Sequence, residues 1–419
     1  GVESIGDRAF SYCEKLSEVT IPDNVKTIGD YVFYNCSKLE KVNIGNGIEK
    51  ISNYAFENCD KLSAITIPDT VKTIGTSAFR RCSGATELTI GNNVETIGDY
   101  AFYNCTSLKE ITIPDNVTSI GYEAFRYCTS LNNVILPNNV TSIGEWAFRG
   151  CSSLINIVIP DSVMSIGYSA FYDCSSLTSI TIPDSVTSIG SSAFCDCTSL
   201  TSVTIPDSVT TMESGVFYHC SALSSVTLSE NLSAVGRYAF TGCTALTSIT
   251  IPDSVTFIGD YAFTGCTALE SVYFSPNSKL TSVGGGLFSS CSNLKVVILG
   301  DMLKTLGDKM FTGCASLVEV HLPNAMTSIP ASLFAGNSKL ETINIPTSVV
   351  SIGKEAFLNC VSLKSITIPT KVKTIGASAF AGCTSLTAVI FAEDNRITSI
   401  PANAFDGATS LSTINLLTS

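Results

Sequence analysis

The 419-residue chain has few positive charges, and this shortage excludes several classes of partner. Lys and Arg number 24 against 36 Asp and Glu, which gives a formal net charge of −12. A nucleic-acid-binding protein needs a basic stripe to contact phosphates, so the balance argues against nucleic acid. It argues equally against an anionic membrane surface. The acidic residues are scattered along the sequence, which is typical of charge that serves solubility.

The chain is also poor in the groups that carry catalysis. Its two histidines, His219 and His321, are too far apart in sequence to share a metal or a catalytic site. Ser and Thr are abundant, but no base recurs beside them. The glycine run 284–286 lacks the Lys and the strand–helix context of a phosphate-binding loop. We therefore expect a protein that is not an enzyme and that has no cofactor and no metal.

No apolar run reaches the roughly 18 residues of a membrane span, and the sequence carries no signal peptide. What the chain has in abundance is one unit, for example Leu177–Ser199, LTSITIPDSVTSIGSSAFCDCTS. Its Phe recurs 23 residues apart, except for two steps of 25 residues. The positions are Phe10, Phe33, Phe56, Phe79, Phe102, Phe125, Phe148, Phe171, Phe194, Phe217, Phe240, Phe263, Phe288, Phe311, Phe334, Phe357, Phe380 and Phe405. Self-similarity at such a period predicts a solenoid.

The first half of the unit predicts two short extended segments. The pattern Leu-x-x-Ile-x-Ile ends in period-2 alternation, which indicates a strand with Ile180 and Ile182 inward and Thr181 outward. Proline cannot donate to a sheet ladder, so the strand ends at Pro183 and a turn follows. The pattern Val-x-x-Ile that ends at Ile189 predicts a second short crossing.

The second half of the unit predicts a short helical segment. Ala193, Cys197 and Leu200 lie at i, i+4 and i+7, on one face of a helix. Phe194 lies beside that face and is expected to fill the centre of the coil. Gly190 is expected to serve close packing between coils, because Pro330 and Pro401 take the same position elsewhere and fix φ near −65°.

This pattern resembles the leucine-rich repeat of the BspA-like class, and it covers essentially all of Val2–Leu416. The resemblance implies a right-handed curved superhelix of about 18 coils with a concave parallel sheet. It also implies a role at the cell surface or outside the cell, in adhesion or as a receptor for host matrix proteins or neighbouring cells. We expect residues 1–419 to be one continuous, monomeric solenoid. We expect it to be the repeat region of a longer protein, or a mature form of one, because the N-terminal unit is truncated and neither end has a polar cap.

Sixteen of the 17 cysteines stand three residues after a repeat Phe, which predicts a stacked column. Small buried thiols are the simplest interpretation, and a disulfide framework or a metal site is the alternative. Zinc sites use paired ligands such as Cys-x-x-Cys, and none occurs. Cys195 stands one residue after its Phe, so we expect it to face outward as the one reactive thiol. The turn residues Asp161, Asp184 and Asp207 form a second row. They either stabilise their own turns through hydrogen bonds or bind calcium.

Two surfaces are candidates for binding. Just before the repeat Phe stand Tyr31, Tyr54, Tyr100, Tyr122, Trp146, Tyr168, Tyr238 and Tyr261, which either stack sugars or cover the backbone of the next coil. On the concave face, Thr is common at the outward strand position. Tyr273, Ile298 and His321 replace it in three consecutive repeats, and Val296 and Glu319 lie on the same side because strand neighbours at i and i+2 point the same way. The turn 275–279, lengthened by two residues, either forms a rim there or reflects drift.

The apolar character of these outward positions has no folding reason, since the core lies on the other side of the sheet. The five residues of this patch are therefore the predicted ligand-binding residues, and random drift is the alternative. The leading hypothesis is a non-enzymatic adhesion module that recognises a protein. A glycan-binding solenoid that uses the Tyr/Trp row and a passive stalk are the competing ones.

Overall fold

The computed structural model describes residues 1–415, which form short parallel strands and turns without a helix in that range. The described residues therefore include no helix that is long and apolar enough to cross a bilayer. The chain divides into two compact units, Gly1–Ser208 and Val209–Ser419. Each unit holds nine of the repeat phenylalanines. Continuity of the solenoid over residues 1–419 stays a prediction, as does the strand position of Leu416, which lies outside the described residues.

Unit 1 has two sets of strands, one on each of two sides. The long strands are Glu18–Ile21, Lys41–Ile44, Ala64–Thr66, Glu87–Thr89, Glu110–Thr112, Asn133–Ile135, Asn156–Val158, Ser179–Thr181 and Ser202–Thr204. The short strands are Ser4–Ile5, Thr27–Ile28, Lys50–Ile51, Thr73–Ile74, Thr96–Ile97, Ser119–Ile120, Ser142–Ile143, Ser165–Ile166 and Ser188–Ile189.

Unit 2 repeats this arrangement. Its long strands are Ser225–Thr227, Ser248–Ile251, Ser271–Phe274, Val296–Ile298, Glu319–His321, Ser365–Ile368, Ala388–Phe391 and Thr413–Asn415. Its short strands are Thr211–Met212, Ala234–Val235, Phe257–Ile258, Ser282–Val283, Ser328–Ile329, Ser351–Ile352 and Thr374–Ile375. We call the side that carries the long strands the long-strand face.

Strands of successive repeats pair in parallel and in register, as the periodicity predicts. Ile157 lies opposite Ile180, and Val158 lies opposite Thr181. Ile180 is 8% exposed whereas Thr181 is exposed, so the inward and outward assignments are confirmed. The pair Ser165–Ile166 and Ser188–Ile189 confirms the second crossing.

The predicted helical segment with Ala193, Cys197 and Leu200 is wrong. Ser192 and Asp196, two residues before and after Phe194, have φ of 56° and 59°. Left-handed residues cannot continue a right-handed helix. The chain instead makes successive tight turns, in which the Cys197 amide donates to the Phe194 carbonyl at 3.2 Å. The i, i+4 spacing correctly identified the buried residues, because such turns also return the chain to the core.

The turns of this third side are tied to the next repeat through the backbone. The Phe171 amide donates to the Ala193 carbonyl at 2.8 Å, and the Phe102 amide donates to the Ala124 carbonyl at 2.9 Å. The buried polar groups of a non-helical segment thus find partners in the neighbouring repeat. All three sides of a repeat are therefore held by bonds between repeats.

The phenylalanines form the centre of each unit. Phe33 through Phe171 in unit 1 and Phe240 through Phe380 in unit 2 are 0% exposed at every repeat position. Neighbouring rings within these stretches stack with centroids 5.1 to 5.9 Å apart. In the first repeat Phe10 is 40% exposed. The prediction that the phenylalanines are buried is confirmed for the central repeats.

Close contact between repeats explains the glycine before each turn segment. A Cβ built on Gly190 would lie 2.6 Å from the amide nitrogen of Tyr168. Gly190 has no positive φ, so packing and not backbone conformation requires it.

In alternate early repeats a Gly–Asn pair replaces Pro–Asp. There Gly45 donates its amide to the Ile21 carbonyl at 2.8 Å, a bond that proline cannot make.

Candidate functional site

The five predicted ligand-binding residues lie on three adjacent strands of the long-strand face of unit 2. Val296 pairs with Glu319, and Ile298 pairs with His321. Ser271 pairs with Val296, and continuation of that register places Tyr273 beside Ile298.

Most of these side chains reach solvent. Tyr273 and Ile298 are each 58% exposed, and Val296, two residues before Ile298 on the same strand, is half-buried. The Nε2 of His321 lies 2.6 Å from Oε1 of Glu319, so the imidazole and the carboxylate form one polar group at the edge of the apolar side chains. Sequence reasoning missed Val318, which is 48% exposed and directly precedes Glu319. The sequence analysis considered only the outward positions of the strand, and Val318 is an apolar residue that lies just before the strand begins. We call these six residues the sheet patch.

Two ion pairs lie at the strand-start edge of the long-strand face, one directly before the strands of Tyr273 and Ile298 and one on the two repeats beyond His321. Nζ of Lys295 lies 2.7 Å from Oε2 of Glu270, and Lys364 pairs with Glu341. All four side chains are more than half exposed, so each pair contributes about 0–1 kcal/mol. Their effect is to line this edge of the apolar side chains with charge.

The lengthened turn 275–279 does not project as a separate loop. Its Lys279 amide donates to the Asp253 carbonyl of the preceding turn at 3.1 Å, and Ser278 is buried. The Ser275 hydroxyl accepts the amide of Asn277 at 3.1 Å. The two extra residues are therefore absorbed by a local turn that packs against its neighbour, next to Tyr273.

A groove of about 1070 Å³ continues from the sheet patch toward the C-terminal repeats. It is lined by Ile298, Val318, Glu319 and His321 from the patch. Further along it is lined by Thr342, Ile343, Asn344, Thr367, Lys371 and Arg396. The exposed apolar side chains thus lead into a concavity with charged groups of both signs.

Unit 1 carries a second apolar cluster on its long-strand face. Ile135, Ile155 and Val158 are 52%, 50% and 77% exposed. They interrupt a surface of Ser, Thr and Asn in the same way as the sheet patch. No charged pair of the kind that flanks the sheet patch is found beside them within the described residues, which makes this cluster a useful comparison surface.

Several rings of the Tyr/Trp row have their faces covered by other side chains, although Tyr168 is 43% exposed. Tyr31 and Tyr54 stack with centroids 4.4 Å apart, and Tyr238 stacks on Tyr261 at 5.4 Å. The guanidinium of Arg149 lies 4.4 Å from the ring centroid of Trp146.

Arg149 also lies 4.4 Å from the ring centroid of Tyr172, so it fills the space between two aromatic rings. Arg126 lies 4.3 Å from the Trp146 ring. These cation–π contacts occupy the faces that a sugar would use for stacking. The arrangement favours the interpretation that the row covers the backbone and stabilises the solenoid.

The cysteines form a buried column, as predicted. Thiols along the column from Cys36 to Cys383 donate to the carbonyl of the Phe in the preceding repeat, and Sγ of Cys128, for example, lies 3.2 Å from the oxygen of Phe102. Burial raises the pKa of Cys128 to about 12. Sixteen of the 17 free cysteines are buried and Cys13 is half-buried. No group of three or more metal-binding side chains occurs in residues 1–415.

The prediction that Cys195 faces outward is wrong. It is 4% exposed, and its Sγ lies 3.4 Å from Oδ2 of Asp196. Burial first, and the Asp196 charge second, raise its pKa to about 12.

The Asp at the Pro–Asp turn has a structural use in early repeats. Oδ1 of Asp23 accepts the Asn46 amide of the next repeat at 2.7 Å, so this carboxylate ties two successive turns together. The role of the row Asp161, Asp184 and Asp207 stays a prediction.

One family model matches the repeat pattern of this chain. The model of the BspA-type leucine-rich repeat region, with six copies, matches residues 3–132, 119–245, 210–341 and 327–419. A leucine-rich repeat protein from Bacteroides ovatus is 32% identical, with 92% of this chain and 81% of that chain covered and a TM-score of 0.47. A leucine-rich cell surface protein from Faecalibacterium prausnitzii is 28% identical over 93% and 83%, with a TM-score of 0.36.

A leucine-rich repeat protein from T. pallidum is 38% identical, with 36% of this chain and 72% of that chain covered and a TM-score of 0.35. A comparison with curated proteins found no match. The family model spans nearly the whole chain, and the repeat residues that define it are the ones that build the core. The chain therefore belongs to the BspA-type leucine-rich repeat family.

Proposed function

We propose that this chain is a non-enzymatic binding module at the cell surface, and that it recognises a protein through the sheet patch. The observation that carries the proposal is the exposure of Tyr273 and Ile298 on adjacent strands, at 58% each, and of Val318 directly before the next strand, at 48%. Exposed apolar clusters with a polar rim are typical of interaction sites. The description of one relative as a cell surface protein supports the location.

The chemistry of the sheet patch fits a protein partner. Tyr and apolar side chains supply buried area when a partner covers them, and aromatic anchors dominate the energy of protein interfaces. The Glu319–His321 pair supplies a hydrogen-bonding edge next to them. A free sugar offers less apolar surface and would leave Ile298 uncovered.

The test uses the full chain against arrays of extracellular matrix proteins and of glycans. Tyr273→Ala combined with Ile298→Thr removes the two most exposed patch residues without touching the core. We expect the double variant to lose at least tenfold in affinity for a matrix protein and to keep its melting temperature within about 1 °C. The matched control is Ile135→Thr with Val158→Thr on the face of unit 1, which should leave binding unchanged.

The other outcomes separate the competing functions. Equal affinity of the two double variants for the matrix protein would contradict the role of the sheet patch in binding. Binding to glycans alone, abolished by Trp146→Ala, would favour the glycan hypothesis. A chain that binds nothing on either array would favour the passive stalk.

A further inference from the structure

One repeat in unit 2 is closed on two sides and open on the third. On the long-strand face, residues 342–344 have no strand assignment, although strands precede and follow them at Glu319–His321 and Ser365–Ile368. Within the described residues, no backbone hydrogen bond joins 342–344 to either neighbouring strand. It is the one complete repeat of the described chain without a strand on this face.

The other two sides of the same repeat are bonded normally. Its short strand Ser351–Ile352 pairs with Ser328–Ile329 of the preceding repeat and with Thr374–Ile375 of the next repeat. On the third side, the Ala356 carbonyl accepts the Phe334 amide at 2.8 Å, and the Phe357 amide donates to the Ala379 carbonyl at 2.7 Å. Only the long-strand face therefore lacks its ladder, and the opening is local.

The side chains around the opening agree with this description. Ile343 occupies the core-facing strand position and is half-buried, as are Leu88 and Val226 of two paired strands. The equivalent residues of the flanking repeats, Val320 and Ile366, are 8% and 1% exposed. Thr342, Ile343 and Asn344 all line the groove that continues from the sheet patch.

The repeat directly before the opening, which carries the strand Glu319–His321, departs from the others in its core. Asn337 replaces the column cysteine, is 0% exposed, and makes no hydrogen bond with its amide nitrogen or oxygen. Pro330 replaces the glycine that packs between repeats. Buried unpaired polar groups are rare in folded proteins and need a reason. These departures directly precede the open strand in the sequence.

We propose that this opening accepts an extended peptide segment of the protein partner, which adds main-chain hydrogen bonds to residues 342–344. The inference rests on the proposed function and names the kind of partner. An unpaired strand presents alternating N–H and C=O groups, and another extended chain is the ligand that matches all of them. Half-buried Ile343 and exposed Ile298 would then receive apolar side chains of the same segment.

The charges along the groove select the orientation of the peptide. Glu319 lies at the start of its strand, whereas Lys371 and Arg396 lie beyond the ends of theirs. Asp301 also lies at the end side, where its Oδ1 is 3.4 Å from Nδ2 of Asn324. A parallel segment with a basic residue near its N-terminus and an acidic residue near its C-terminus matches this polarity.

Hydrogen exchange of the free full chain tests the opening itself. Amides 342–344 have no backbone acceptors, so we expect them to exchange at least tenfold faster than amides 366–368 of the paired strand Ser365–Ile368. Equal protection at the two sites would overturn the inference, because the strand would then be closed in solution.

The binding probe is a fluorescein-labelled peptide that copies Lys364–Pro369, KSITIP, followed by one glutamate. We expect it to bind the full chain and to slow exchange at 342–344 at least tenfold. One control peptide carries N-methyl groups at its three central residues, and another exchanges the Lys and Glu. Both should bind at least tenfold more weakly, the first because it lacks amide donors. Lys371→Glu with Glu319→Lys should reverse the preference between the two charge orders.

Each other outcome overturns the inference. Equal binding of the N-methylated peptide would mean docking by side chains alone, and absence of binding would mean that no strand is accepted. Slower exchange at 342–344 as protein concentration rises would mean that a second copy of this chain occupies the opening. If the matrix-protein partner still depends on Tyr273 and Ile298 in any of these cases, the proposed function stands and only the peptide inference fails.

Discussion

Replacement of Asn337 by cysteine should stabilise the protein. Asn337 is fully buried in the cysteine column, and neither polar atom of its side chain has a hydrogen-bond partner. In the repeats on either side, Cys314 and Cys360 fill the same slot and donate to the carbonyls of Phe288 and Phe334 at 3.1 Å. Asn337→Cys removes the unpaired amide and supplies the thiol that the slot holds elsewhere.

The expected size follows from the cost of an unpaired buried group. That cost is about 1–3 kcal/mol for a neutral polar group. The thiol is a weak hydrogen-bond donor, so its bond to the carbonyl adds little to the stability of the repeat. We therefore expect a gain of about 1–3 kcal/mol in local opening free energy, which corresponds to roughly 5- to 150-fold slower exchange, at tenfold per 1.4 kcal/mol.

The assay is hydrogen exchange of the full chain, read on peptides that cover residues 330–345. Exchange is preferable to a global melting curve because long repeat arrays lose two-state behaviour. The reciprocal change Cys128→Asn, in a regular repeat of unit 1, should speed exchange of its own repeat by a similar factor. Asn337→Ala separates removal of the amide from restoration of the thiol. Unchanged or faster exchange in Asn337→Cys would refute the reasoning and show that the amide is satisfied in solution.

Three further outcomes follow from the same geometry. Phe102→Ala should cost about 3–5 kcal/mol, because its 0% exposed ring is held between two others, and a smaller loss in urea unfolding would contradict the stacked core. Gly190→Ala should lower the unfolding midpoint, since the new Cβ meets backbone at 2.6 Å, whereas Ser192→Gly at a φ of 56° should not. Burial raises the thiol pKa values, so thiolate reactivity in the native state should stay low up to about pH 9. A thiol reagent should label at most half-buried Cys13 rapidly, and fast labelling of Cys195 would contradict its placement.

The repeat period predicted the parts of the fold that depend on burial. Both extended segments, the inward Ile180 and outward Thr181, and the column of thiols follow from which positions stay apolar in every copy. Prediction of these features works because a solenoid imposes the same environment on each equivalent residue. The patch residues could be found for the complementary reason, since Tyr273 and Ile298 break a pattern that the core does not require.

Backbone conformation was the part that the pattern could not predict. A helix and a run of tight turns both return an apolar residue to the core after three or four positions, so the spacing of Ala193 and Cys197 does not separate them. The left-handed residues that decide the matter, such as Ser192 and Asp196, are not glycines, so composition gave no signal. The position of Cys195 depended on that same turn geometry, which explains why both errors occur together.

The departures from the repeat differ in what they cost the fold, and this difference indicates which ones serve binding. The covered rings of Trp146 and Tyr31 contribute to stability, so their presence has a structural reason. Tyr273 and Ile298 contribute little to the fold, and Asn337 reduces its stability. A residue that persists at a cost, beside a strand without its ladder and next to exposed apolar side chains, is best explained by a gain on binding. Stability lost in the free protein would then be recovered in the complex, where the added strand completes the sheet.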